Sequence, residues 1–132
     1  ARVRLREQVE QVASGIAAAP GCTVDVPVTE GVPATVCDGR AVALGEAVAA
    51  DLYGAQSFRR LGEPIMGAED FAYVLEQVPG AMFFLGFSEQ GADWSQCCGI
   101  HSTRMMLDEA VMPRGAALLA GMAERFLARG FD

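Results

Sequence analysis

The residue type in this chain best suited to chemistry at neutral pH occurs once, as His101 within Gly99-Ile100-His101-Ser102. A neutral imidazole can bind a metal, act as an acid or base, or satisfy a hydrogen bond in a core. A catalytic metal site needs about three protein ligands and an open position, so a ligating His101 must take most of its co-ligands from elsewhere. Cys97-Cys98 followed by His101 invites a zinc reading, but C-C-x-x-H lacks the paired C-x-x-C knuckles that make such a signal specific. Glu69-Asp70 are the next candidates. They open a predicted helix, where carboxylates are also stabilised simply by free N–H groups and the helix dipole. Gly67, just before them, could supply the backbone angles of a tight loop or let a ligand approach closely. For a single histidine the structural role is the commoner one, and at this point both remain open.

Composition narrows the classes of function. The 132 residues have the length of one ordinary domain, and 52% hydrophobic with 20% charged residues supply ample core material. Such a chain is globular rather than disordered, and no apolar run approaches the ~18 residues of a membrane-spanning helix. Net charge is −7, and the basic residues are all Arg. Nucleic acid is excluded as a partner, because its binding needs clustered positive charge. The four cysteines are dispersed apart from one vicinal pair, which points to a reducing cytoplasm rather than a disulfide framework. No charged segment followed by an apolar one stands behind Ala1, which leads us to expect a trimmed or partial chain.

The elements that must position these residues read in order. Leu5, Val9, Val12 and Ile16 recur at helical spacing over residues 2–19, and Pro20-Gly21 stops that helix. Cys22, Val24, Val26 and Val28 alternate with polar residues as in a half-buried strand, and Pro27 assigns it to an edge. Residues 30–39 are rich in turn formers and form a connection. Asp38 caps a helix over about 40–53 with Leu44, Val48 and Leu52 inward and Gly54 at its end. A short strand is expected over Ser57–Leu61. Met66-Gly67-Ala68-Glu69-Asp70-Phe71 turns into a helix whose Phe71, Val74, Leu75 and Val78 point inward, ended by Pro79-Gly80. The apolar run from Ala81 to Phe87 has the pattern of a strand covered on both faces. A polar stretch leads to His101, Asp108-Glu109 begin a helical turn, and from Pro113 a closing helix buries Leu118, Leu119, Met122 and Phe126. Helices alternating with buried strands predict an α/β layered domain, with His101 in a loop, where such folds commonly place functional groups.

Taken together, Met66-Gly67-Ala68-Glu69-Asp70-Phe71-Ala72-Tyr73, then Pro79-Gly80-Ala81-Met82-Phe83-Phe84-Leu85-Gly86, His101-Ser102 and Asp108-Glu109-Ala110 resemble the C-terminal part of the aminoacylase and hippurate hydrolase type amidohydrolases. These belong with the dinuclear-metal carboxypeptidases. The resemblance is clear over about residues 64–121 and weaker before them. It implies that residues 1–29 end a small α+β lid domain that dimerises, that 30–39 are the return linker, and that 40–132 form the C-terminal portion of the catalytic α/β metallo-hydrolase domain.

By the same resemblance His101 matches a ligand to one of two divalent ions, of which zinc, manganese, cobalt and nickel are all candidates. Gly67, Glu69 and Asp70 match a loop that shapes the cleft and positions substrate. The family's other ligands (a Cys-x-His, a Glu-Glu pair and another His) have no counterpart here, nor does the general-base glutamate of that pair, so no catalytic residue is expected within this chain. The implied parent is a cytoplasmic homodimer that hydrolyses the amide bond of an N-acyl amino acid or small peptide. The alternative is a non-catalytic, degenerate relative acting as an association module. Two departures stand out: Cys37-Asp38 where relatives often have Asn-Asp, and Ser102-Thr103-Arg104-Met105 where they often have a proline and an aromatic.

Overall fold

The computed structural model describes residues 2–88 and 100–131. The first helix, α1 (Arg2–Ala18), ends where Gly21 adopts φ 77°. Its N–H donates to the Ala18 carbonyl at 3.0 Å and the Cys22 N–H reaches the Ala17 carbonyl at 2.9 Å. This bond pair is the Schellman cap, and the left-handed φ is the conformation that glycine adopts without penalty. The chain then returns beside the first turns of α1, where the Arg6 guanidinium pairs with the Glu30 carboxylate at 2.8 Å and the Arg2 guanidinium donates to the Val32 carbonyl at 3.0 Å. Residues 1–32 form one unit and 33–132 a second.

Within the first unit the helix forms as its spacing predicts and the strand does not. Leu5, Val9, Val12 and Ile16 do share a face of α1, but each is about half exposed or more (49–69%) and the helix buries nothing. The segment expected as an edge strand, 22–29, forms no ladder, and of its apolar side chains only Val26 is half-buried. Alternation records which side chains could share a face, whereas a strand also needs a neighbour to accept its hydrogen bonds.

The second unit is built on α2 (Gly39–Tyr53). The Asp38 carboxylate accepts a hydrogen bond from the Arg40 N–H at 2.8 Å and caps its first turn, as the sequence predicts. Gly54 at φ 91° closes it, donating to the Ala50 carbonyl at 2.8 Å. Ala41, Leu44, Val48 and Ala49 are buried, while Leu52, expected inward, is about half exposed. Next comes α3 (Ala72–Leu75), far shorter than its apolar stripe suggests. Ala72 is its fully buried residue, whereas Val74 and Val78 are exposed. A 3-10 turn, Glu109–Val111, leads directly into α4 (Met112–Arg129), with Pro113 in its first turn.

Helices α2 and α4 pack against each other in antiparallel fashion. At one end the Tyr53 hydroxyl donates to the Arg114 carbonyl at 2.7 Å, and the Arg114 guanidinium lies 4.5 Å above the Tyr53 ring. Farther along α4, Arg125 pairs with Asp51 in the last turn of α2. At the other end Arg40 stacks 4.9 Å over Phe131. Close approach is permitted by glycine: a Cβ on Gly121 would stand 2.9 Å from Val48 Cγ1, one on Gly115 would stand 2.9 Å from Leu85 Cδ2, and one on Gly45 would run into the Phe83 ring.

The expected layered α/β class is not what the described residues form. They are helical, and among them there is no strand. Ser57–Leu61 and Ala81–Phe87 carry no ladder, and the second run, expected to be covered on both faces, leaves Phe84 60% and Leu85 46% exposed. The run is nonetheless tied in place. The Asp38 N–H donates to the Gly80 carbonyl at 2.8 Å, the Met82 N–H to Cys37 Sγ at 3.4 Å, and the Asp108 N–H to the Phe87 carbonyl at 2.9 Å. Phe83 meets Phe58 edge-on, ring centroids 6.1 Å apart.

Candidate functional site

His101 lies on an exposed turn between the Ala81–Phe87 run and α4. Its backbone is left-handed, at φ 73°, and it is the one non-glycine residue with positive φ among those described. That region costs an L-residue free energy, although histidine visits it more readily than most. The side chain makes no hydrogen bond or ion pair among the described residues.

A second turn starts at the next residue. Ser102 Oγ accepts a hydrogen bond from the Arg104 N–H at 3.2 Å, and the Ser102 carbonyl accepts from the Met105 N–H at 3.1 Å. Farther along, Asp108 Oδ1 accepts from the Ala110 N–H at 3.0 Å, capping the 3-10 turn, so Asp108 and Glu109 do begin a helical turn as their order predicts.

The Gly67–Asp70 segment has a different character. Glu69 Oε1 accepts from the Phe71 N–H at 3.0 Å, and the Glu69 and Asp70 carbonyls accept from the Ala72 and Tyr73 N–H groups at 3.3 and 3.0 Å. One carboxylate oxygen of Glu69 therefore caps its own turn, the structural role anticipated for an acidic residue at a helix start. Gly67 is exposed and has ordinary space around it: a Cβ there would touch only Ile65 Cγ2 at 3.8 Å. Neither unusual backbone angles nor a crowded neighbour requires glycine at this position.

Among the described residues no hydrogen bond or ion pair joins Gly67, Glu69 or Asp70 to His101. A depression of about 300 Å³ between α2 and α4 is lined by Val48, Asp51, Leu52, Gly121, Glu124, Arg125 and Ala128, and none of the four candidates takes part in it. Cys97 and Cys98, the other half of the zinc reading, lie outside the described residues.

The donor chemistry fits a metal in one respect and falls short in another. An exposed imidazole with no partner among the described residues can bind an ion through either ring nitrogen. Among the described residues, however, no group of three or more His, Cys, Asp or Glu side chains could hold an ion together. They supply one ligand, not a centre.

Two features carry no signal in the sequence pattern. One is the left-handed backbone at His101, which residue type foretells reliably only for glycine. The other is the Asp38–Arg40 pair, 2.7 Å between Arg40 Nη2 and Asp38 Oδ2. Its spacing of two is not the three or four residues of ordinary helix-surface pairs. The Arg40 guanidinium, and then the Arg40 N–H, hold the Asp38 carboxyl down at about 2, and the pair raises the arginine in return.

The model of Peptidase family M20/M25/M40 matches residues 5–125. The chain is 32% identical over 94% of its length to the "IAA-amino acid hydrolase ILR1-like 2" of Arabidopsis thaliana, covering 28% of that protein. It is 30% identical over 95% of its length to the "IAA-amino acid hydrolase ILR1-like 4" of the same plant, covering 29% of it. Over 48% of its length it is 38% identical to the "Thermostable carboxypeptidase 1" of Saccharolobus solfataricus, covering 16% of that protein. The chain thus spans less than a third of each of these relatives.

Proposed function

The chain belongs to Peptidase family M20/M25/M40, and from that premise we propose that the complete protein is a metal-dependent hydrolase of the amide bond in N-acyl amino acids or small peptides. The observation that carries this reading is His101: an exposed imidazole, engaged by no other side chain among the described residues, on a turn whose backbone is held in an unfavourable region. Outliers of that kind cluster at functional sites. The relatives' printed names, a hydrolase of an amino-acid conjugate and a carboxypeptidase, support a small amide or peptide as substrate.

When bound in the complete protein, two divalent ions would supply the Lewis acidity that activates water and polarises the scissile carbonyl. His101 would hold one ion through a ring nitrogen, its second nitrogen left for an orienting acceptor. Gly67, Glu69 and Asp70 shape the cleft and position substrate, with Glu69 Oε2 left over from the cap to accept from a substrate donor. The general base and the remaining ligands come from outside these 132 residues. On this reading residues 1–29 end a lid domain that forms the homodimer, and 40–132 complete a layered α/β domain whose sheet partners lie elsewhere in the protein. The compartment is the cytoplasm.

The test is His101→Ala in the full-length protein, with metal content and turnover of an N-acyl amino acid panel measured together. Metal occupancy falls and turnover nearly disappears. Full metal loading at an unchanged rate would sink the assignment.

A second reading, a non-catalytic association module, is favoured by the exposed stripe Leu5, Val9, Val12 and Ile16 on α1, since contiguous apolar surface of this kind marks interaction sites. The two readings separate in the coding sequence before Ala1: a Cys-x-His and a Glu-Glu pair there support the enzyme, and a start codon at or near Ala1 supports the module. Val12→Asp abolishes concentration-dependent sedimentation if the stripe pairs two copies.

A further inference from the structure

We draw no further inference here: the strongest candidate, the uncharged apolar run over residues 81–87 with Phe84 and Leu85 exposed, is an unpartnered face, and nothing in the structure shows what covers it.

Discussion

At the scale of single residues, His101 sets stability against function. Its φ of 73° is a conformation that glycine adopts freely and a residue with a Cβ adopts at a cost of about 1–2 kcal/mol. Replacement by glycine relieves that cost but loosens the unfolded chain, so His101→Gly raises stability by a net of about 1 kcal/mol in urea denaturation. Equal or lower stability would show that the turn holds no strain. Asp38 gives a second prediction, on pH. Its folded value of about 2 lies below the ordinary 3.8 because the Arg40 guanidinium binds the carboxylate. A lowered folded value means that the pair stabilises the fold above the unfolded value and loses that contribution as pH falls through the folded one. Stability therefore declines from about pH 3.8 down through about 2. Asp38→Asn keeps an acceptor for the helix cap but cannot ionise, so its acid-unfolding curve, followed by circular dichroism, is flatter across that window. Of these two residues the sequence disclosed the types and one role. A carboxylate before a periodic apolar stretch reads as a cap, and a lone histidine reads as a candidate ligand. Neither the partner of Asp38 nor the backbone state of His101 is written in spacing, because each depends on local geometry that several residue orders could adopt.

At the scale of elements, two helical glycines make a controlled pair. Glycine costs a helix interior about 1 kcal/mol relative to alanine. Gly15 in α1 has nothing within 4 Å of where a Cβ would stand, so Gly15→Ala stabilises by roughly 0.5–1 kcal/mol. Gly121 in α4 would place that atom 2.9 Å from Val48 Cγ1, on a β-branched side chain with little rotamer freedom. Overpacking of this kind costs about 1–3 kcal/mol, which exceeds the gain in helix propensity, and Gly121→Ala destabilises by about 1 kcal/mol net. Thermal unfolding of the two variants separates them by sign, and the same sign for both would mean that α2 and α4 are not held as closely as Gly121 implies. This contrast explains which parts of the helices were legible. The extents of α1 and α2 and the first turn of α4 follow from periodicity and end signals. The buried faces do not: Leu119 in α4 is 66% exposed although it follows the buried pattern, because α4 has apolar residues on more than one face and meets Leu85 and Val48 at Gly115 and Gly121, where a Cβ would crowd them. Periodicity counts apolar side chains, while contact is decided by the residues small enough to let another helix in.

For the molecule as a whole, the expectation of strands came from alternation at 22–29 and an unbroken apolar run at 81–87, and both patterns are genuine properties of those segments. What they lack among the described residues is a neighbouring strand, and no pattern within a segment can reveal whether one is present. The same shortage governs the interior. Leu44 and Val48 are the buried apolar side chains larger than alanine among the described residues, while Leu5, Ile16, Leu61, Met66, Phe84 and Leu127 all stand at least 60% exposed. Cooperative unfolding draws on the burial of large apolar side chains, so the 132-residue chain by itself melts broadly and binds the dye ANS, as do states with native-like helices and loose packing. The metal chemistry follows the same logic. Three protein ligands are the usual minimum for a catalytic ion, and the described residues offer His101 with no cluster beside it. On the proposed function, the isolated chain is expected to bind Zn²⁺ weakly and to hydrolyse no N-acyl amino acid, and the complete protein is expected to melt sharply, exclude ANS and turn over substrate. A sharp calorimetric transition in the isolated chain would refute the structural half of this expectation, and tight stoichiometric binding of two metal ions per chain would refute the chemical half.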